Sequence, residues 1–229
     1  MESQTSTTLR FALLLTASSA FLDGYTFVSR DGVFANAQTG NVILLGVNLA
    51  AAEWQAAVGH LWPILAFLVG VAFANLLKSE RSHRLTAHPI RLAIVAQILV
   101  LVAVAFVPLS WNNALVTVPV SFVAAIQMGL FRTVGSLSYM AIATTGNLLR
   151  FTEALYAGVV DHKPESRKVA GVYARIISAF AVGAVIGAVS TQALSHYAAF
   201  IPAGILAATL VLFYVDEREG RGPLPLEKD

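Results

Sequence analysis

Six long apolar runs follow one another along the chain, separated by shorter segments that hold most of its charged residues. The runs cover residues 11–28, 64–77, 90–107, 115–131, 169–189 and 198–215. A helix needs about 20 residues to cross the roughly 30 Å hydrocarbon core of a bilayer, so these runs indicate membrane-spanning helices. The composition agrees, because 57% of the 229 residues are hydrophobic and only 12% are charged, against about 25% charged in soluble domains. The pattern predicts an all-α integral membrane protein.

A polar Thr-Gly-Asn triplet occurs twice, at residues 39–41 and, 106 residues later, at 145–147, each time at the start of a further apolar segment. Upstream, residues 20–24 align with residues 125–129, each beginning with Ala and ending with Gly. Downstream, both halves carry small residues four apart, a spacing that lets membrane helices pack closely: Ala66, Gly70 and Ala74, then Ala179, Gly183 and Gly187. Three matches in the same order predict a duplicated unit, covering about residues 10–107 and 113–215.

The positions of lysine and arginine predict which loops face the cytoplasm, where basic residues concentrate. Loops 78–91 and 158–175 carry four basic residues each, whereas loops 108–114 and 195–197 carry none. We therefore expect the two basic loops inside and the two uncharged loops outside.

Segments 35–52 and 138–157 decide the number of crossings. If neither crosses, 13 of the 15 lysine and arginine residues lie in the cytoplasm, whereas only 6 do if both cross and make eight spans. A seven-span alternative, in which only the first segment crosses, gives an equally good count. We favour two non-crossing segments because the units resemble each other. The prediction is six transmembrane helices plus two re-entrant or broken helices in two inverted repeats, with both termini cytoplasmic. The chain, 1–229, is then a single membrane domain with a polar tail at 216–229.

The two Thr-Gly-Asn triplets are candidate substrate-binding elements. Non-helical backbone at membrane depth is tolerated only where protein buries it or where it lines a watery cavity, and the start of a half-helix presents free N–H groups and a partial positive charge. Glycine permits a tight or left-handed backbone at such a break, and Thr and Asn are good helix caps. The alternative is that the triplets cap helices against neighbouring spans without a ligand. The candidate substrate-binding residues are Asn36, Gln38, Thr39, Gly40, Asn41, Thr145, Gly146, Asn147 and Arg150.

Three ionisable residues fall inside the apolar segments, where charge is costly and often functional. Arg150 and Glu153 lie three residues apart, within pairing reach on one helix face, and Asp23 lies in the first run. We predict coupling or gating roles for Asp23 and Glu153. The alternatives are an Arg150–Glu153 pair that only fixes packing, and an Asp23 that reaches the headgroups or Arg30.

Other classes of activity lack support in the sequence. The chain has no cysteine, its five histidines show no metal-ligand spacing, and no nucleophile elbow, phosphate-binding glycine loop or catalytic carboxylate pair occurs. We therefore expect no enzyme activity, no cofactor, no bound metal and no nucleic-acid partner.

The combination of inverted repeats and broken helices is typical of transporters and channels, whose polar sites lie where the half-helix ends meet. We therefore expect a transporter or channel for a small polar or anionic solute, with the paired triplets at a central site. The alternative is a scaffold or accessory subunit in the bilayer, whose seams of small residues bind a partner or another copy and so form a homo-oligomer.

Two motifs carry a resemblance to a known family. Residues 21–25 read Phe-Leu-Asp-Gly-Tyr, and residues 32–41 read Gly-Val-Phe-Ala-Asn-Ala-Gln-Thr-Gly-Asn before an aliphatic helix. With the second triplet, these resemble the YoaK family of small bacterial inner-membrane proteins, which is defined by a domain of unknown function; Gln38 stands where that family usually has Met. The likeness covers about residues 10 to 215. It implies a location in the bacterial inner (cytoplasmic) membrane and does not imply an activity.

Overall fold

The computed structural model describes residues 8–78 and 89–218. Within them the chain forms eight α-helices, a short 3-10 helix and one small antiparallel hairpin. The α-helices are α1 Leu9–Ser29, α2 Gln38–Ala50, α3 Trp54–Lys78, α4 Pro89–Val104, α5 Ala114–Leu130, α6 Thr145–Val159, α7 Pro164–Leu194 and α8 Phe200–Arg218. The hairpin pairs β1 Thr133–Val134 with β2 Leu137–Ser138, and the 3-10 helix is Ser195–Ala199.

Each of the six apolar runs falls in a different helix, which confirms the all-α membrane-protein class. Three helical stretches in the described residues are long and apolar enough to cross a bilayer: Leu9–Ser29, Trp54–Lys78 and Pro164–Val215. The last includes both α7 and α8, which are separated where Ser195 adopts a φ of 56°. Two shorter apolar helices, Ile90–Val104 and Ala114–Leu130, accompany them. The polar tail from residue 219 and most of the basic loop, 79–88, lie outside the described residues.

The contacts between helices are the same in both halves of the chain when α1, α2, α3 and α4 are matched, in that order, with α5, α6, α7 and α8. The most extensive contacts join α1 to α7 and α3 to α5, so the first helix of each half packs against the third helix of the other half. The short helices follow the same scheme, because α2 packs on α3 and α6 packs on α7. The remaining helices, α4 and α8, pack on each other, α4 also on α5 and α8 also on α1. Exchanging the halves therefore leaves the pattern of neighbours unchanged.

Glycines on α7 allow α1 to approach it closely. A Cβ on Gly187 would lie 2.8 Å from the Cα of Phe21, and one on Gly183 would lie 2.9 Å from the Cα of Ala17. In the other direction, a Cβ on Gly24 of α1 would lie 2.6 Å from the Ala184 carbonyl oxygen. No side chain fits at these positions, so the predicted packing seam in the second half is confirmed.

The seam between α3 and α5 is built in the same way. A Cβ on Gly70 would lie 2.5 Å from the Phe122 carbonyl oxygen and 2.7 Å from the Ala125 Cβ. Ala74, which is fully buried, faces Gly129 of α5. Both seams are thus filled from within the chain. Within the chain, α1 and α5 cover these small residues.

Candidate functional site

After α1 the chain reverses and runs back along the helix it has just left. The reversal uses two left-handed residues, Asp31 and Gly32, with φ values of 53° and 72°. The Ala35 N–H then donates to Thr26 Oγ1 at 3.0 Å, and Asn36 Nδ2 donates to the Ser19 carbonyl at 2.7 Å. Ser19 lies about 15 Å from the end of α1 at 1.5 Å per residue. Helix α2 therefore begins deep beside α1.

A carboxylate from α1 binds the main chain just before α2 begins. Asp23 Oδ1 accepts hydrogen bonds from the N–H groups of Asn36 and Ala37, at 2.8 and 3.2 Å. Ala37 is the N-cap residue and has no side chain that could cap the helix. Asp23 therefore places a carboxylate beside the start of α2, where the helix dipole favours negative charge. That this helix end faces an anion stays a prediction.

The asparagines of the two triplets act as clamps on the chain seven residues upstream. Asn41 Nδ2 donates to the Phe34 carbonyl at 2.7 Å, and its Oδ1 accepts from the Phe34 N–H at 3.0 Å. Asn147 repeats both bonds with Met140, at 2.8 and 3.2 Å. Both asparagines are fully buried. The prediction that these side chains cap helix N-termini is wrong, since α2 and α6 begin at earlier residues and have no side-chain cap.

The glycines of the triplets are helical, which corrects the expected left-handed break. Neither has a positive φ. A Cβ on Gly40 would lie 2.6 Å from the Phe34 ring, so the ring needs a glycine at this position. The nearest atom to a Cβ on Gly146 is an Arg150 guanidinium nitrogen at 3.4 Å, an ordinary contact. In the first half the left-handed backbone lies eight and nine residues before Gly40, at Gly32 and Asp31.

A large open cavity, which we call the vestibule, lies beside α2 and α3. Its volume is about 1080 Å³. Its wall combines the end of α1, one face of α2, the first two turns of α3 and the loop between α4 and α5. All three tryptophans of the chain line it, together with polar and charged side chains. These lining residues include Trp54, Trp62, Trp111, Asp31, Asn48, Glu53, Gln55, His60, Asn112 and Asn113.

The vestibule has an acidic lining. Asp31 and Glu53 line it, and among the residues that the structure describes no lysine or arginine does. The buried His60 Nδ1 lies 3.3 Å from the Asn41 side-chain oxygen, so the imidazole separates the vestibule from the clamp. Arg30 is near in sequence but fully buried, and donates to the carbonyls of Val107 and Pro108 at 2.7 and 3.0 Å.

The predicted site residues are not brought together in one place. The first-half candidates, Asn36, Gln38, Thr39, Gly40 and Asn41, surround the start of α2 behind the vestibule and do not line it. The second-half candidates, Thr145, Gly146, Asn147 and Arg150, belong to α6, which packs on α7 and contributes nothing to the vestibule. The vestibule therefore does not join the two triplets, and their pairing around one solute stays a prediction.

Arg150 and Glu153 do not form the expected ion pair. Arg150 is half-buried and Glu153 is exposed, and no salt bridge joins them although both residues are described. Their helix, α6, packs on α7, which carries the phenol of Tyr173. That phenol donates to the Ser138 carbonyl at 2.7 Å and ties the hairpin to α7.

Sequence reasoning missed His60, Glu53 and the tryptophans as members of one site. The histidine and the tryptophans fall near helix ends, where they match the aromatic and polar residues that anchor any membrane helix. Only the reversal at Asp31, which sets α2 beside α3, shows that they share a cavity.

Comparisons with known proteins agree with a membrane protein and give no activity. Residues 11–212 match the family model described as "Protein of unknown function (DUF1275)". The chain is 25% identical over 202 residues to the "UPF0700 transmembrane protein YoaK" of Bacillus subtilis (strain 168), covering 85% of this chain and 88% of the relative. No solved structure matches.

Proposed function

The chain belongs to the DUF1275 family of proteins of unknown function, and we propose that it is a membrane transporter or channel that admits a small polar solute through the vestibule. The observation that carries this proposal is the vestibule itself. A cavity of about 1080 Å³ that is lined by tryptophans, polar side chains and a buried histidine has the size and the mixed lining of small-molecule sites.

The charge of the lining narrows the class of solute. Two carboxylates line the vestibule and none of its described lining residues is a lysine or arginine, which disfavours an anion and favours a cationic or neutral polar solute. Tryptophan faces add attraction for cations. We therefore replace the expected "polar or anionic" solute with a neutral or cationic one.

The packing supports the inverted-repeat architecture. The contact of α1 with α7 corresponds to the contact of α5 with α3, and the contact of α2 with α3 corresponds to that of α6 with α7. Such matching contacts are expected of two related units. At 13 and 15 residues, α2 and α6 are the shortest of the eight described α-helices and extend about 20 and 23 Å. This length fits two segments that enter and leave on one side, within six spans.

We expect the vestibule to open outside the cytoplasm. Ser110 lines it in an uncharged loop, whereas Ser136 lies in the hairpin at the far end of α5. Both serines are exposed and the chain has no cysteine, so Ser110→Cys and Ser136→Cys each introduce a single thiol. In intact cells a membrane-impermeant maleimide should label Ser110→Cys, and it should label Ser136→Cys only after permeabilisation. The reverse result would contradict the orientation.

The vestibule can be plugged without disturbing the packing. A Cβ on Gly59 meets no atom within 4 Å and Gly59 lines the vestibule, so Gly59→Trp should fill the cavity while the fold is kept. We expect proteoliposomes to swell faster than empty liposomes in isosmotic glycerol, or in choline chloride when a chloride ionophore is present, as measured by light scattering. Gly59→Trp should remove most of this difference.

Gly171→Trp is the matched control, because a Cβ on Gly171 also meets no atom and the residue lies outside the vestibule. It should swell like the wild type. If the wild type admits neither solute, the transport proposal falls and a non-transporting scaffold takes its place. If Gly59→Trp and Gly171→Trp behave alike, the vestibule is not the pathway.

A further inference from the structure

A polar cluster is buried against one turn of α1, behind the start of α2. Ser19 and Asp23 lie four residues apart and so share one face of α1. Asn36 bonds to both, because its N–H donates to Asp23 Oδ1 at 2.8 Å and its Nδ2 donates to the Ser19 carbonyl at 2.7 Å. Gln127 of α5 completes the cluster, with Nε2 donating to Ser19 Oγ at 3.2 Å. The cluster joins three parts of the chain: α1, the returning segment and α5.

Within residues 8–78 and 89–218, no hydrogen-bond donor reaches three side-chain oxygens of this cluster. They are Asp23 Oδ2, Asn36 Oδ1 and Gln127 Oε1. Their side chains are only 5, 2 and 2% exposed. Buried polar atoms in proteins are almost always paired, so three unpaired acceptors attached to one helical turn require an explanation beyond packing.

The chemistry of the three atoms defines what could pair with them. All are acceptors, so the missing group must be a cation or a donor, and an anion is excluded. One carboxylate and two amide oxygens carry a single negative charge, which balances one monovalent cation and would undercompensate a divalent one. Carboxylate and amide oxygens are hard ligands suited to hard cations. We propose that Asp23, Asn36 and Gln127 bind a dehydrated sodium ion.

The position of the cluster would give the ion a structural consequence. It links α1 of the first half to α5 of the second half and to the segment that enters α2. Gln38 extends the connection, since its Nε2 donates to the Ala35 carbonyl and its Oε1 accepts from Asn41 Nδ2. Sodium would therefore stabilise the packing at the floor of the vestibule. A role of the ion in coupling rests on the proposed transport function, whereas its binding is independent of that function.

The test is the melting temperature of the purified protein in detergent as sodium chloride replaces N-methyl-D-glucamine chloride at constant ionic strength. Above its Kd, sodium should raise the Tm by about 3–6 °C for each tenfold increase. Potassium, which is larger, should have a weaker effect. Gln127→Leu and Asp23→Asn should abolish the sodium dependence, and Ser19→Ala, a smaller change at the same turn, should weaken it.

Gln97→Leu provides the matched control. Gln97 is a second buried glutamine, on α4, but its unpartnered atom is the amide nitrogen, which cannot bind a cation. This variant should keep the full sodium response whatever its own stability. Equal stabilisation by sodium and N-methyl-D-glucamine would overturn the proposal, as would a melting temperature that responds to pH and not to sodium, which would indicate a proton on Asp23. Because the measurement involves no transport, it separates failure of the sodium site from failure of the transport proposal.

Discussion

Gly187→Ala is expected to lower the free energy of unfolding by about 3 kcal/mol, the upper part of the range for overpacked interiors. The added methyl would meet the main chain of Phe21 on α1, with the Cα at 2.8 Å. Main-chain atoms of a packed helix cannot rotate away as a side-chain end can, so α1 and α7 must separate along their whole contact. The measurement is the thermal melting of the variant in detergent beside that of the wild type.

Gly171→Ala is the control for this substitution because it lies on the same helix. A Cβ there meets nothing within 4 Å, and alanine is favoured over glycine within a helix by about 1 kcal/mol. This variant should be as stable as the wild type or slightly more stable. Equal melting temperatures for the two variants would contradict a tight α1–α7 seam.

The helices and their seams could be predicted from the sequence because each depends on local pattern. An apolar run long enough for a bilayer becomes a helix whatever its neighbours, as the agreement of residues 11–28 with α1 illustrates. Small residues four apart, such as Gly183 and Gly187, form a seam because close approach needs only their spacing on one face. The spacing does not predict which helix packs on each seam, because each seam packs on a helix from the other half of the chain.

The candidate site could not be predicted in the same way because it depends on chain reversal. Asp23 was recognised as an unusual charge, yet its partners, the N–H groups of Asn36 and Ala37, are 13 and 14 residues away. Gln127, 108 residues from Ser19, looks like any polar residue in a helix. A buried hydrogen-bond network is specified by tertiary contacts, and no periodicity in the sequence reports them.

Arg150 and Asn41 show why residue type alone does not predict the role of a polar residue in an apolar segment. Arg150 was selected because charge within an apolar segment is costly, and the structure leaves it half-buried without a bond to Glu153. Asn41 was selected as a ligand or a cap, and its amide is used instead on the main chain of Phe34. Residue type alone marks both residues as unusual in an apolar segment. It does not distinguish a residue that binds a solute from one that stabilises the fold.

Asn41→Ala is expected to lower the free energy of unfolding by about 3 kcal/mol, because it leaves the N–H and carbonyl of Phe34 without their partner, at about 1–3 kcal/mol for each unpaired buried group. Asn147→Ala should cost a similar amount, since it frees the same two groups of Met140. Asn48→Ala, on the half-exposed face of α2 that lines the vestibule, should change stability little. Thermal melting of the three variants measures these differences.

Asparagine-to-aspartate variants test the clamp more closely. Asn41→Asp keeps the oxygen that accepts from the Phe34 N–H, but sets a second oxygen against the Phe34 carbonyl where Nδ2 donated at 2.7 Å. A clamp predicts that this variant is at least as unstable as Asn41→Ala, whereas a residue that only bound a polar solute would tolerate the change in the empty protein. Asn147→Asp should behave alike.

Solute flux measured per folded molecule then distinguishes the role of the first triplet from that of the second. Asn41 contacts His60 at the vestibule floor, so its variants should reduce stability and solute entry together. Asn147 lies on α6, away from the vestibule, so its variants should reduce stability alone. Equal loss of flux from both halves at unchanged stability would restore the triplets as a shared solute site and contradict the clamp.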